Sequence, residues 1–254
     1  MLLNNKIAII TGASSGIGRA TAKLLAQEGA KVAIADLETQ NGQTVVAEIQ
    51  ANGGTASFHQ VDAAQESQIQ AWIDAVVAQW GGIDILVANA GILFTRTVET
   101  ATNDDWDKIL GVNLKGYAFC AKYAVPSMRK RGGGAIVNIA SISSFVAQPE
   151  FFLYNATKGA VLQLTRCLAL DLAVDNIRVN CVCPGPIDTP MVDQFIKDHG
   201  LNPEEFHQQM SQSTILRRMG KPQEVAEAIV FLVSDKASYI TATPLMVDGG
   251  YVAI

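Results

Sequence analysis

Lys6-Ile7-Ala8-Ile9-Ile10-Thr11-Gly12-Ala13-Ser14-Ser15-Gly16-Ile17-Gly18 is the stretch whose reading decides the fold. Residues 6–11 form a short apolar run rich in β-branched side chains, the pattern of a strand buried on both faces. Three glycines follow at once, spaced Gly-x-x-x-Gly-x-Gly. Behind them a helical pattern runs to about Glu28, with Gly29 as its stop. Glycines between strand and helix let backbone approach a ligand closely. The helix N-terminus adds free N–H groups and a partial positive charge, which suit a phosphate. The spacing is not the Gly-x-Gly-x-x-Gly of the better-known dinucleotide fingerprint, so its surroundings carry the reading.

Those surroundings alternate. Strand patterns occur at 31–36, 56–61 and 84–88, with helical patterns at 39–51 and 65–80 between them. Residues 103–129 read as one long helix, broken by Gly132-Gly133-Gly134 before a strand at 135–140. The helix that carries Tyr154 runs to about residue 174 and is apolar nearly all round in its later part, so it must be covered on several sides. A strand at 177–182 follows, then a polar, helical insertion at 189–213. A helix opened by Lys221-Pro222-Gln223-Glu224 and a short strand at 245–247 close the pattern. Short connections between alternating elements predict an α/β chain, a single-domain Rossmann-like fold over residues 1–254. Its doubly wound parallel sheet has about seven strands with helices on both faces.

Composition narrows the function classes. Net charge is −5 and the basic residues are scattered, so no nucleic-acid partner is expected. No predominantly apolar run reaches about 20 residues, so no membrane span is expected. Met1-Leu2-Leu3-Asn4-Asn5-Lys6 lacks a basic flank ahead of a long apolar run, and no signal peptide is expected. Cys120, Cys167, Cys181 and Cys183 have no Cys-x-x-Cys spacing; Cys181 and Cys183 alternate along a strand pattern and read as small core residues of a reducing compartment, and a cytoplasmic location is expected. His59, His199 and His207 do not pair with cysteine at a ligand spacing, so no metal is expected; His199 and His207 read as surface residues. Only 17% of residues are charged and 49% are hydrophobic, which leaves apolar surface for other subunits to cover.

Two constellations carry chemistry. Asp36 ends the second strand, eighteen residues after Gly18. A carboxylate there accepts both ribose hydroxyls of an adenosine and repels a 2′-phosphate. Ser14, Ser15 and Leu37 offer no basic group to offset that repulsion, although Arg19 lies one step further on. NAD is therefore expected rather than NADP. Tyr154 and Lys158 stand four apart, on one face of a helix. An ammonium at roughly 4 Å favours a phenolate by about 4 kcal/mol at an effective dielectric of about 20. That would bring the phenol near the operating pH, where a general acid/base works best.

With these motifs in this order the sequence resembles the short-chain dehydrogenase/reductase family from Lys6 to Gly250. The resemblance identifies Gly12, Ser14, Ser15, Gly16, Ile17 and Gly18 with the family's cofactor loop. Asp62 corresponds to the acid that meets the adenine amino group, and Asn89-Ala90-Gly91 to the turn that holds the cofactor's ribose region. Asn113, Ser141, Tyr154 and Lys158 resemble the catalytic tetrad, Ser141 standing thirteen residues before Tyr154. Pro184, Gly185, Ile187 and Thr189 resemble the segment that holds the nicotinamide. Ala88 and Ala242 depart from the family, where many members have asparagine and glycine.

The resemblance implies hydride transfer between a secondary alcohol and its ketone, with NAD as cofactor and Tyr154 as proton carrier. Lys158 would tune the phenol, Ser141 would bind the substrate oxygen, and Asn113 would hold a water near Lys158. It also implies a homotetramer and a segment at 189–213 that closes over a small-molecule substrate. Ser143, Phe94, Gln148, Phe151 and Met191 are the substrate-lining candidates, joined by Leu93, Phe145, Val146, Phe152 and Phe195. They suit an apolar or cyclic substrate, while Gln148 and Glu150 could touch a second hydroxyl, which leaves sugars, diols and steroids open. Two alternatives stay open: a ketoreductase like 3-oxoacyl-[acyl-carrier-protein] reductase, and a non-catalytic NAD-binding scaffold.

Overall fold

Successive residues of strand β1 (Ile7–Thr11) face different cores: Ala8 and Ile10 join one apolar cluster, Ile7 and Ile9 another. The alternation is that of a sheet covered on both faces. The structure, a computed structural model, describes residues 1–253. After β1 come α1 (Gly16–Gln27), β2 (Lys31–Asp36), α2 (Thr39–Ala51), β3 (Thr55–Gln60), α3 (Glu66–Trp80) and β4 (Ile85–Ala88). Then follow α4 (Asn103–Leu110), α5 (Gly116–Lys130), β5 (Gly134–Ile139), α6 (Phe152–Leu172) and β6 (Ile177–Pro184). The chain ends in α7 (Pro190–Asp198), α8 (Pro203–Gln212), α9 (Pro222–Val233) and β7 (Pro244–Val247).

The strands form one sheet in the order β3-β2-β1-β4-β5-β6-β7, every neighbouring pair parallel. One face is covered by α1, α2 and α9 through Leu25, Val45 and Ile229; the other by α3, α5 and α6 through Trp72, Ala124 and Leu172. Strand order reverses between β1 and β4, and a crevice opens beyond their carboxyl ends. This is the single-domain, doubly wound α/β fold expected. No helix among the described residues is long and apolar enough to cross a membrane.

The expected helix at 103–129 is in fact two helices joined by a π-helical turn, Gly111–Lys115. Thr102 and Asp105 start α4 with a capping box, each side chain bonding the other's backbone N–H. Gly111 and Gly116 frame the turn, and a Cβ on Gly116 would press on the Ala63 carbonyl. The polar insertion resolves into α7 and α8, each with proline in its first turn. Asn202 caps α8 by accepting from the N–H groups of Glu204 and Glu205. The inner side of α6 is buried, whereas Leu170 is 79% and Val174 just beyond it 90% exposed.

Candidate active site

The crevice begins as a cradle made by the turn from β1 into α1. Gly12 (φ +65°) and Gly16 (φ +51°) adopt left-handed backbone that other residues take up with strain. A Cβ on Gly12 would come 2.7 Å from the Ala90 Cα, and one on Gly18 would strike the Gly12 carbonyl. Asn89 braces this packing: its Nδ2 donates to the carbonyls of Thr11 (2.9 Å) and Gly12 (2.8 Å). Thr11 Oγ1 accepts from the N–H groups of Asn89 and Ala90, both at 3.0 Å. The N-cap residue of α1, Ser15, makes no side-chain cap, so the first-turn N–H groups keep their capacity for a ligand. A cradle that Cβ atoms would fill, at an uncapped helix start, fits the pyrophosphate of a dinucleotide.

Asp36 sits beside it. Its Oδ2 accepts from Ser14 N–H at 2.9 Å and its Oδ1 from Glu38 N–H at 3.1 Å. Arg19 is turned to Glu48, which also binds Lys23; these two hold the Glu48 carboxyl below the usual range, the Lys23 hydrogen bond first. Leu37 is exposed, and Asp62 anchors its own turn by accepting from Ala64 N–H at 2.9 Å.

The other end of the crevice lies where β5 and α6 meet. Lys158 is buried, and its Nζ donates to the Ile139 carbonyl at 2.7 Å. The same Nζ lies 5.6 Å from the centre of the Tyr154 ring and 5.4 Å from that of Tyr117. Ser144 Oγ donates to the Lys158 carbonyl at 2.7 Å, tying the short turn after β5 to α6. That turn starts at Ser141, whose Oγ accepts from Ser143 N–H at 3.1 Å.

Burial pushes the Tyr154 phenol up to about 12, and hydrogen bonding by the Ser141 side chain pulls against that rise. Burial also lowers Lys158 to about 8, opposed by the nearby Cys183 and Cys181 thiols. The expectation that Lys158 alone brings the phenol near neutrality is therefore not met. Its ammonium is spent on Ile139 and is itself discouraged by burial, so desolvation of the phenol outweighs it.

A cavity of about 480 Å³ joins the cradle to this end. Its wall contains the cofactor-loop residues, Asp36, Leu37, Asp62, the 89–91 turn, Ser141, Tyr154, Lys158, Pro184, Gly185, Pro186, Ile187 and Thr189. Of the substrate candidates, Ser143, Gln148, Phe151, Met191, Leu93 and Phe195 line it. Phe94 does not; its ring packs beneath Arg96, whose Cζ stands 5.2 Å from the ring centre. Phe152 packs edge-on against Trp106, Phe145 is exposed, and neither lines the cavity. Asn113 stays behind the wall. Its Nδ2 donates to the carbonyl of Ile92 and to Thr157 Oγ1, so the carboxamide acts as a brace and its donors are not free for a water.

Residues that the sequence did not single out complete the apolar end: Val192, Phe206, Met210, Met219 and Tyr251. Tyr117 was missed too; it is buried, and its hydroxyl donates to the same Ile139 carbonyl as Lys158. Tyr117 lies one helical turn after Asn113, the spacing that could have drawn attention to it. His199 is exposed as expected, but His207 is half-buried, and candidate ligand atoms of Asp188, Asp193 and His207 lie within 4.8 Å of one another.

Residues 12–252 match a family described as Enoyl-(Acyl carrier protein) reductase. The chain belongs to the short-chain dehydrogenase/reductase family, oxidoreductases that use a nicotinamide cofactor. Cyclopentanol dehydrogenase of Comamonas sp. (strain NCIMB 9872) is 39% identical, covering 99% of this chain and 98% of its own. The 3-oxoacyl-[acyl-carrier-protein] reductase FabG of Thermotoga maritima is also 39% identical, covering 99% of this chain and 100% of its own. Among solved structures, levodione reductase superposes with a TM-score of 0.95 at 33% identity, covering 99% of each chain.

Proposed function

We propose that this oxidoreductase interconverts an apolar, ring-bearing secondary alcohol and its ketone with NAD. The observation that carries the reading is the presence of Ser141, Tyr154 and Lys158 in the wall of the cavity that starts at the glycine cradle. The cradle and the uncapped start of α1 would hold the pyrophosphate, Asp36 the adenosine ribose, and Ile187 and Thr189 the carboxamide. When bound, the cofactor supplies hydride acceptance from, or donation to, the carbinol carbon. Ser141 binds the substrate oxygen and stabilises charge that develops there. Tyr154 takes the hydroxyl proton in oxidation and returns it in reduction. Lys158 places a positive charge beside that phenol, within about 6 Å of its ring centre.

Support for NAD comes from Asp36, a carboxylate in the cavity wall that would repel a 2′-phosphate, and from Arg19, which Glu48 holds elsewhere. Support for a ring-bearing substrate comes from the aromatic and methionine wall and from the similarity to cyclopentanol dehydrogenase. A second reading, an acyl-carrier ketoreductase, is favoured by the equal similarity to FabG. A panel of cyclic ketones and an acetoacetyl thioester, each assayed with NADH and NADPH, separates the two. Cyclic ketones turned over with NADH support the first reading; thioester reduction confined to NADPH refutes it. The exposed Leu170 and Val174 support assembly with further copies of the chain, a homotetramer in this proposal.

A further inference from the structure

The wall beside Tyr154 is aromatic. The Phe151 ring centre lies 6.3 Å from that of Tyr154, Phe195 is 5.6 Å from Phe151, and Phe206 is 5.7 Å from Phe195. Gln148 breaks this apolar lining with a carboxamide that reaches the same cavity. It is not free to turn. Ser143 Oγ donates to Gln148 Oε1 at 3.0 Å, and Ser143 is held in turn by its own N–H on Ser141 Oγ at 3.1 Å. Gln148 is thus two hydrogen bonds from the serine that binds the reacting oxygen. With Oε1 engaged, its Nε2 keeps two N–H donors. Among the described residues Nε2 has no hydrogen-bond partner, and it is not sealed in the interior.

We infer that Gln148 is a specificity-determining residue that reads a second oxygen on the substrate, so that the preferred substrate is a ring ketone or alcohol bearing a further carbonyl or hydroxyl acceptor. The inference rests on the reading of the site as a cyclic-alcohol dehydrogenase and sharpens it. A wholly apolar ring would bury the amide donors without a partner. A site built to donate a hydrogen bond disfavours the analogue that lacks the acceptor. Neutral oxygen fits better than a carboxylate, because no lysine or arginine other than Lys158 lines the cavity.

The test compares cyclohexanone with cyclohexane-1,4-dione, using kcat/KM with NADH for the wild type, Gln148→Leu and Ser143→Ala. The wild type should prefer the dione by about tenfold. Gln148→Leu should erase that preference, the loss falling on the dione. Ser143→Ala, which releases Oε1 and lets the amide rotate, should weaken it. Binding of NADH with unchanged affinity by both variants would establish that they fold. A preference that survives Gln148→Leu, or a loss equal for both ketones, would overturn the inference while leaving the cyclic-alcohol reading intact. Failure of the wild type to reduce either ketone with NADH or NADPH would overturn both.

Discussion

Asn113 spends both ends of its carboxamide on the backbone of Ile92: Oδ1 accepts from the N–H at 2.8 Å and Nδ2 donates to the carbonyl at 2.9 Å. The asparagine is completely buried and sits in the π-helical turn. The pair therefore fastens the joint between α4 and α5 to the segment that leaves β4, directly beyond the 89–91 turn. A Cβ on Gly91 would lie 3.7 Å from Asn113 Oδ1 and 3.8 Å from Lys158 Nζ, so this joint also sets the floor beneath the lysine.

Asn113→Leu removes the brace and leaves two backbone groups of Ile92 without partners. Each unsatisfied group costs about 1–3 kcal/mol. Urea unfolding should show a loss of about 2–6 kcal/mol, along with reduced turnover. An unchanged midpoint would refute the bracing role.

Tyr154→Phe keeps the ring and removes the hydroxyl proposed to carry the proton. Turnover should fall by about 10²–10⁴-fold, while fluorescence titration still detects NADH binding. Ser141→Ala should cost about 10²–10³-fold in kcat. Normal turnover by Tyr154→Phe would refute the proposed mechanism.

Burial lowers Lys158 from its ordinary 10.5 to about 8 in the folded chain. Between those values the unfolded chain binds the extra proton, so this residue makes stability rise with pH from about 8 towards 10.5. Below about 8 the full penalty of a buried ammonium is present. Lys158→Met removes that titration. Denaturant midpoints of wild type and variant, compared at pH 7 and pH 10, should shift in favour of the wild type at the higher pH. A gap that stays constant would contradict the lowered value.

Ala242 has φ +60°, a left-handed conformation that costs an L-residue about 1–2 kcal/mol. Its N–H is nevertheless held by the Val179 carbonyl at 2.7 Å. Ala242→Gly relieves the strain and loses part of the gain to the freer unfolded chain, for a net stabilisation of about 0.5–1 kcal/mol. Thermal unfolding measures it, and a lower Tm would refute the account. The residue noted as a departure from the family's glycine is thus a departure in backbone strain.

The strand, the glycine cradle and the first helix are legible from residues 6–29 because burial and backbone freedom select different residue types there. The shared cavity position of Tyr154, Lys158 and Ser141 is legible for a similar reason: they come from one helix and the turn just before it. The break at 111–115 is hidden because the chain stays helical through it, with no gap in helix-forming composition; only Gly111 and Gly116 betray it. Phe94 and Phe206 show the other limit. Both are aromatic residues in a loop or insertion, yet Phe94 turns to Arg96 and Phe206 to the cavity, a choice made by tertiary contacts. The phenol's titration escapes a pairwise estimate because desolvation depends on the surrounding atoms.

The wide turn at 111–115 also acts as a phase marker. Excising one residue from it would let α4 run into α5 as an ordinary helix, with no loss of helical hydrogen bonding. Everything on its N-terminal side would then rotate by about 100°. The rod would survive while its grip on Ile92 swung away, so the length of this helix pair is constrained to the single residue where a change at its exposed end would not be.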